Sequence, residues 1–296
     1  MKAAKTGILL AVLAAALYAV NAPCSKLLLD YMPPTLTAGF LYLGAGISMG
    51  AVALVRKLRH TEHTEQRLTK AELPYTVAMI LLDIAAPVCL LFGLRMTTAA
   101  NASLLNNFEI VATAVIALVF FKERISARLW GGIAFVTAAC LLLSFESAES
   151  LRFSYGSLLI LLACLFWGIE NNCTRKISSK DPLEIVLLKG IFSGAGSLVI
   201  GLCIGERVTV LWSVFAALAV GCVAYGLSIF FYVHAQRLIG AARTSAYYAV
   251  SPFIGTLFSF ILFPQLPHYT YFIALGLMGI GAWLCSQDKP LFRRKQ

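Results

Sequence analysis

The chain has 296 residues, 59% of them hydrophobic and only 13% charged, and its 24 Lys and Arg outnumber 14 Asp and Glu to give a formal net charge of +10. A mean hydropathy of +0.82 excludes an ordinary soluble domain, whose surface helices need polar faces that the long apolar stretches here lack. The positive charge lies between those stretches rather than on one soluble face, so nucleic acid is not an expected partner, and the solvent expected for most of the chain is the lipid bilayer.

A bilayer core about 30 Å thick needs roughly 20 mostly apolar residues at 1.5 Å each. The first stretch that meets this, near 6 to 29, follows Lys2 and Lys5. It is too long for the apolar part of a signal peptide and reads as a retained helix. The next spans fall near 34 to 54, 74 to 94, 99 to 121 and 128 to 146. Five more follow near 155 to 174, 182 to 204, 211 to 236, 242 to 263 and 269 to 286. The expected fold is therefore an all-α integral membrane protein of ten transmembrane helices. The longest connection, Arg56 to Leu73, is polar throughout and is expected to be a cytoplasmic helix or flexible tether. His60, Glu62 and His63 within it are two histidines in a loop without further ligands, a weak metal site, and no cofactor or metal is expected. The eight cysteines lie in or at the ends of apolar stretches with no C-x-x-C spacing, which argues against disulfides and zinc.

Cytoplasmic flanks are enriched in Lys and Arg. Lys2, Lys5, Arg56, Lys57, Arg59, Arg67 and Lys70 fall on one side of these spans, as do Lys122, Arg124, Arg128, Arg175, Lys176, Lys180, Arg237, Arg243 and the basic run Lys289 to Lys295. The other side has only Arg95, Arg152 and Arg207 in its loops. Both termini are expected to be cytoplasmic, in a bacterial inner membrane.

The sequence also matches itself. GILLAVLAAALYAVNAPCSK from Gly7 aligns with GSLLILLACLFWGIENNCTR from Gly156, which sets Tyr18 opposite Trp167, Asn21 opposite Glu170 and Lys26 opposite Arg175. ANASLLNNFEIVATAVIALVFFKE from Ala100 aligns with ARTSAYYAVSPFIGTLFSFILFPQ from Ala242, setting Glu109 opposite Ser251. With an odd number of helices per repeat the second copy enters from the opposite face, so residues 1–147 and 148–296 are expected to form two inverted five-helix repeats, an arrangement common in secondary transporters.

On the helix count, on AANASLLNNFEIVATAVIALVFFKERIS (Ala99 to Ser126, with Glu123 just past the fourth span) and on GAARTSAYYAVSPFIG (Gly240 to Gly255), the chain resembles the EamA-type exporters of the drug/metabolite transporter superfamily. It departs from them at Ile110, where they often carry Pro, and at Gln265, where the second repeat often ends in Glu. The resemblance implies a central cavity formed by both repeats. It also implies export or exchange of amino acids, nucleobase-like compounds, sugar phosphates or drugs.

Ionisable groups deep in a span cost about 2.5 to 3.5 kcal/mol on insertion scales and each calls for a reason. Asp83 and Glu109 fall near the middle of the third and fourth spans, Glu170 and Lys189 in the cytoplasmic halves of the sixth and seventh. Glu170 with Lys189 is read equally as a structural ion pair or as part of the transport path. Asp83 precedes Pro87 by four residues, so its carbonyl loses its helical partner and a kink is expected, opened backbone beside a carboxylate being able to hold a cation or proton. Asn106 and Glu109 are three apart and can line one polar stripe with Asn107, opposite Tyr247, Tyr248 and Ser251; packing through interhelical hydrogen bonds is the plainer alternative. Trp167, Glu170 and Asn171 match Tyr18 and Asn21, and aromatic beside polar suits a small organic ligand. The pairs Gly46 with Gly50, Gly190 with Gly194 and Gly201 with Gly205 have the spacing of close helix packing.

No G-x-x-x-x-G-K-[ST] loop occurs, so a gradient, with protons as one candidate, is expected to drive movement of a small-molecule substrate. A membrane enzyme would require a compact constellation such as H-E-x-x-H or G-x-S-x-G within the spans; neither is expected there, and the chain is read as a non-enzyme. A lipid-translocating subunit is the competing membrane function.

Overall fold

The computed structural model describes residues 2–59, 66–121, 126–144, 154–177, 180–239, 244, 247–264 and 267–286. His60, Glu62, His63, Lys122, Glu123, Arg124, Arg152, Arg243, Gln265 and the basic run from Lys289 lie outside the described residues. Among the described residues all regular structure is helical: α1 (Lys2–Ala19), α2 (Asn21–Leu28), α3 (Pro34–Leu58), α4 (Leu73–Met96), α5 (Ala99–Leu105), α6 (Phe108–Phe121) and α7 (Ala127–Ser144). They are followed by α8 (Tyr155–Ile177), α9 (Pro182–Leu188), α10 (Gly194–Cys203), α11 (Leu211–Gly221), α12 (Ser228–Ile239), α13 (Ser251–Leu262) and α14 (Tyr269–Ser286).

Local chemistry sets several of these ends. Pro34 and Pro182 open α3 and α9 at positions where a missing N–H costs nothing, and Asp181 caps α9 by accepting from Leu183 N at 2.9 Å. Thr98 caps α5, its hydroxyl accepting from Asn101 N at 3.1 Å. After α10 the chain turns at Gly205, whose φ of 84° only glycine adopts freely. Glu206 N then bonds Gly201 O at 2.9 Å and Gly205 N bonds Leu202 O at 3.1 Å, closing the helix end. Gly205 is therefore a helix stop, a correction to its expected packing role.

Among the described residues, eight helical spans are long and apolar enough to cross a bilayer: Lys5–Leu28, Pro34–Leu58, Lys70–Met96, Ala99–Phe120, Ala127–Ser144, Tyr155–Ile177, Pro182–Cys203 and Leu211–Tyr232. Ser251–Leu262 and Tyr269–Cys285 are apolar but shorter. Large side chains such as Leu9, Ile47, Leu81, Phe120, Val199 and Phe215 are exposed along the spans, as a lipid-facing surface requires.

Among the described residues, four spans are interrupted. The first breaks at Val20 between α1 and α2, and the fourth at Asn106 and Asn107 between α5 and α6, where Glu109 N to Asn106 O and Ile110 N to Asn107 O, both 3.1 Å, replace wider helical bonds. Wide π turns occupy Lys189–Ser193 in the seventh span and Cys222–Leu227 in the eighth. The third span runs through Pro87 as one helix.

Packing pairs α4 with α8, α1 with α12, α7 with α14 and α6 with α8. On α3 lie α10, α11 and both π turns; α13 lies on α5 and α1. Close approach uses glycine: a Cβ on Gly46 would fall 2.8 Å from Ile191 N, and one on Gly190 would strike the Gly46 backbone. The Arg56 to Leu73 connection is not wholly a free tether. Gln66 O accepts from Asp181 N at 2.9 Å, Leu68 N donates to Glu184 at 3.0 Å, and Glu72 lies 3.3 Å from Lys180.

Candidate functional site

Two continuous helices and one interrupted span bring the deep charges together. α4, a single helix, presents Asp83; α8 presents Trp167 and, one turn on, Glu170 with its neighbour Asn171; the π turn of the seventh span presents Lys189. A π turn inserts an extra residue and re-aims the side chains it carries. Lys189 Nζ lies 2.7 Å from Glu170 Oε1 and 3.3 Å from Asp83 Oδ2, the latter an ion-pair separation without an aligned hydrogen bond. Tyr42 from α3 donates its hydroxyl to Asp83 Oδ1 at 2.9 Å, and Thr174 donates to Glu170. All three charged groups are buried, so the ammonium and the carboxylates satisfy one another where water is excluded. The expected Glu170 and Lys189 pair is there, and Asp83 joins it.

Next to this cluster lies an aromatic one. Tyr225, carried by the π turn of the eighth span, stacks against Tyr42 with ring centroids 4.9 Å apart and against Tyr18 at 5.9 Å. Tyr248 lies 5.9 Å from Tyr18 and 4.9 Å from Tyr232. Asn21 donates to the Tyr225 hydroxyl at 3.0 Å and accepts from Ser25 at 3.1 Å. Trp167 is buried in the same core.

Glu109 faces this region from α6, its Oε1 accepting from Asn171 Nδ2 at 2.6 Å. Asn106, one turn earlier, lines a narrow crevice with Tyr18, Asn21, Ser103, Ser251 and Gly255 that has room for about one water. The hydroxyls of Ser103 and Ser251 and both polar atoms of Asn107 are buried without a hydrogen-bond partner. Side chains thus fill the centre around this crevice in this conformation.

Tyr247 is not part of the assembly. It is 38% exposed on the outer surface, because adjacent helical residues point about 100° apart and Tyr248 takes the inward direction. Tyr42, Tyr225, Thr174 and Thr113, whose hydroxyl accepts from Asn171 Nδ2 at 3.3 Å, belong to the same cluster, and no sequence motif marks them. The depth of Tyr42 and Tyr225 in their spans, the same signal that marks Tyr18, would have found the two tyrosines.

One pattern needs correction. Gly46 to Gly50 (GISMG) does spell G-x-S-x-G. It lies inside α3, where Ser48 donates to Ala45 O at 2.9 Å, whereas a nucleophile of that motif requires a strand-to-helix turn. The match is helix packing.

Together the apolar spans and the enclosed polar centre define a multi-pass membrane protein of the transporter class. The chain belongs to the EamA-like transporter family, whose profile matches residues 5–145 and 154–287. It is 24% identical over 279 residues to an uncharacterized transporter of Methanothermobacter thermautotrophicus, spanning 89% of this chain and 80% of that one. It is 26% identical over 275 residues to the uncharacterized inner membrane transporter YedA of Escherichia coli K12, spanning 89% of this chain and 85% of that one. A solved crystal structure superposes with a TM-score of 0.67 over 94% of each chain at 18% identity, a likeness of fold.

Proposed function

We propose that this protein is a secondary or facilitative transporter that exports a small metabolite, an amino acid or similar, across the inner membrane by alternating access. In this reading ten spans form two inverted repeats, residues 1–147 and 148–296, with both termini cytoplasmic. The observation that carries it is the buried Asp83, Lys189 and Glu170 cluster walled by Tyr42 and Tyr225, with Lys189 and Tyr225 carried on the π turns of the seventh and eighth spans. Discontinuous helices at mid-membrane are where transporters build substrate and ion sites.

The packing pattern supports the repeat. Exchanging the first five spans for the second five turns the contact of α4 with α8 (third with sixth span) into that of α12 with α1 (eighth with first). The same exchange turns α6 with α8 into α1 with α13, while α7 with α14 maps onto itself. An enclosed polar centre favours a soluble metabolite over lipid translocation, which would use an apolar slot open to the bilayer.

The test is flux into liposomes from pools of amino acids, nucleosides, sugar phosphates and cationic drugs, with and without a pH gradient. Saturable movement of one pool is expected. Replacing Asp83, Glu109 and Glu170 singly by their amides tests protons as the coupling ion: an unchanged pH dependence in all of them removes that role. No movement of any pool by folded, inserted protein overturns the transporter reading.

A further inference from the structure

The seventh span, Pro182–Cys203, carries Lys189 in its interior and is tied to other spans at both ends. Where α10 stops, the turn at Gly205 brings Glu206 over the start of α3, and its carboxylate accepts from Leu36 N at 2.9 Å and Thr35 N at 3.4 Å. Pro33, ahead of α3, offers no side-chain cap, so the carboxylate that caps this helix comes from beyond the seventh span. Gly201 leaves the room, since a Cβ there would fall 2.7 Å from Leu36 and 3.2 Å from Glu206. Beside this contact Thr209 donates to Tyr31 O at 3.4 Å, and the Tyr31 and Trp212 rings meet with centroids 4.7 Å apart. At the other end Glu184 accepts from Leu68 N at 3.0 Å, Asp181 N donates to Gln66 O at 2.9 Å, and Lys180 lies 3.3 Å from Glu72. Leu68 packs there on Ile177 and Ile185.

Exchanging the two proposed repeats turns one of these contacts into the other. The connection before the third span meets the start of the seventh, and the connection before the eighth meets the start of the second. Both contacts are made at once in this structure, on either side of a buried centre. Glu206 and Glu184 are only half-buried, so a carboxylate that lets go and the amide it releases return to water, whereas breaking the Lys189 cluster would strand charge in low dielectric. The ends are therefore where the fold opens most easily. Building on the alternating-access reading above, we infer that Glu206 and Glu184 close two latches, one at each end of the seventh span, and that the centre opens to one face when the latch at that end releases while the other holds.

The experiment uses the full chain with its eight cysteines replaced and Ser251→Cys as reporter, labelled by a membrane-impermeant maleimide in right-side-out and in inside-out vesicles. Glu206→Ala is expected to raise the labelling rate by about threefold or more from the face on which α3 begins and to lower it from the other, and Glu184→Ala to do the reverse. In a second pair of variants Zn²⁺ clamps a latch shut across two histidines, Tyr31→His with Trp212→His at one end and Glu72→His with Lys180→His at the other. Each clamp should stop labelling from its own face and spare the opposite one, with Zn²⁺ on the parent as control, and this is read even where an alanine variant does not fold. No shift in folded alanine variants, no face-specific block by the clamps, or an equal change at both faces overturns the latches, while two-sided labelling of the parent keeps the alternating-access reading. Labelling of the parent from one face or from neither defeats both.

Discussion

Lys189 Nζ sits 2.7 Å from Glu170 Oε1, joining the seventh span to the sixth, and its second contact, 3.3 Å to Asp83 Oδ2, brings in the third. One ammonium therefore ties three helices at the depth where the seventh relaxes into a π turn. Removing one partner of a buried pair strands the other in low dielectric, which costs more than the pair itself contributes.

Lys189→Met is accordingly expected to destabilise the protein by about 3 to 5 kcal/mol, measured by denaturant unfolding in detergent. Adding Glu170→Gln to that variant should recover part of the loss, because one fewer carboxylate then lacks a counter-charge. A double variant less stable than the single one would contradict this.

Tyr225→Phe removes the oxygen that accepts from Asn21 Nδ2 while keeping the ring. Leaving that buried donor unsatisfied should cost about 1 to 3 kcal/mol. Asn21→Leu combined with Tyr225→Phe should cost less than the sum of the single changes, an outcome a double-mutant cycle reads directly.

Gly190 faces Gly46 so closely that even a methyl group has no room. Gly190→Ala is predicted to cost about 1 to 3 kcal/mol by forcing the second and seventh spans apart. Gly276, whose Cβ would meet nothing within 4 Å, should accept Ala without loss. Equal unfolding midpoints for the two variants would remove the close-packing account.

Lys26 spends its three donors on the end of α4, with Nζ 2.6 Å from Leu94 O, 2.8 Å from Thr97 O and 3.3 Å from Arg95 O. Lys26→Met exposes those carbonyls and removes a cation from a helix C-terminus, for an expected loss of about 1 to 3 kcal/mol. Hydrogen exchange should rise first at residues just past α4; uniform exchange across the chain would argue against a local cap.

Hydropathy places eight of the spans closely because bilayer thickness acts on composition alone: Pro34, Pro182 and Ala99 begin helices where apolar runs begin. The pairing of Glu170 with Lys189 is legible for a related reason, since two opposite charges at matching depth have few other partners. The interruptions are not legible. The π turns at Lys189–Ser193 and Cys222–Leu227 arise where both lie against α3, a tertiary contact that no local pattern announces. Asn106 and Glu109 look like one stripe in sequence. In the structure a tightened turn separates them, Asn106 lining the crevice and Glu109 reaching Asn171. Tyr247 and Tyr248 look alike in sequence, since residue type alone does not say which of two adjacent tyrosines faces inward.

Alternating exposure of the centre is the central claim, and thiol accessibility measures it most directly. The eight cysteines would be replaced and Ser251→Cys introduced at the crevice, then treated with a membrane-impermeant maleimide in right-side-out and in inside-out vesicles. Labelling from both faces is the predicted result, since Ser251 is buried in the closed conformation and must be reached from each side in turn. Labelling from one face only, or from neither, would contradict alternating access.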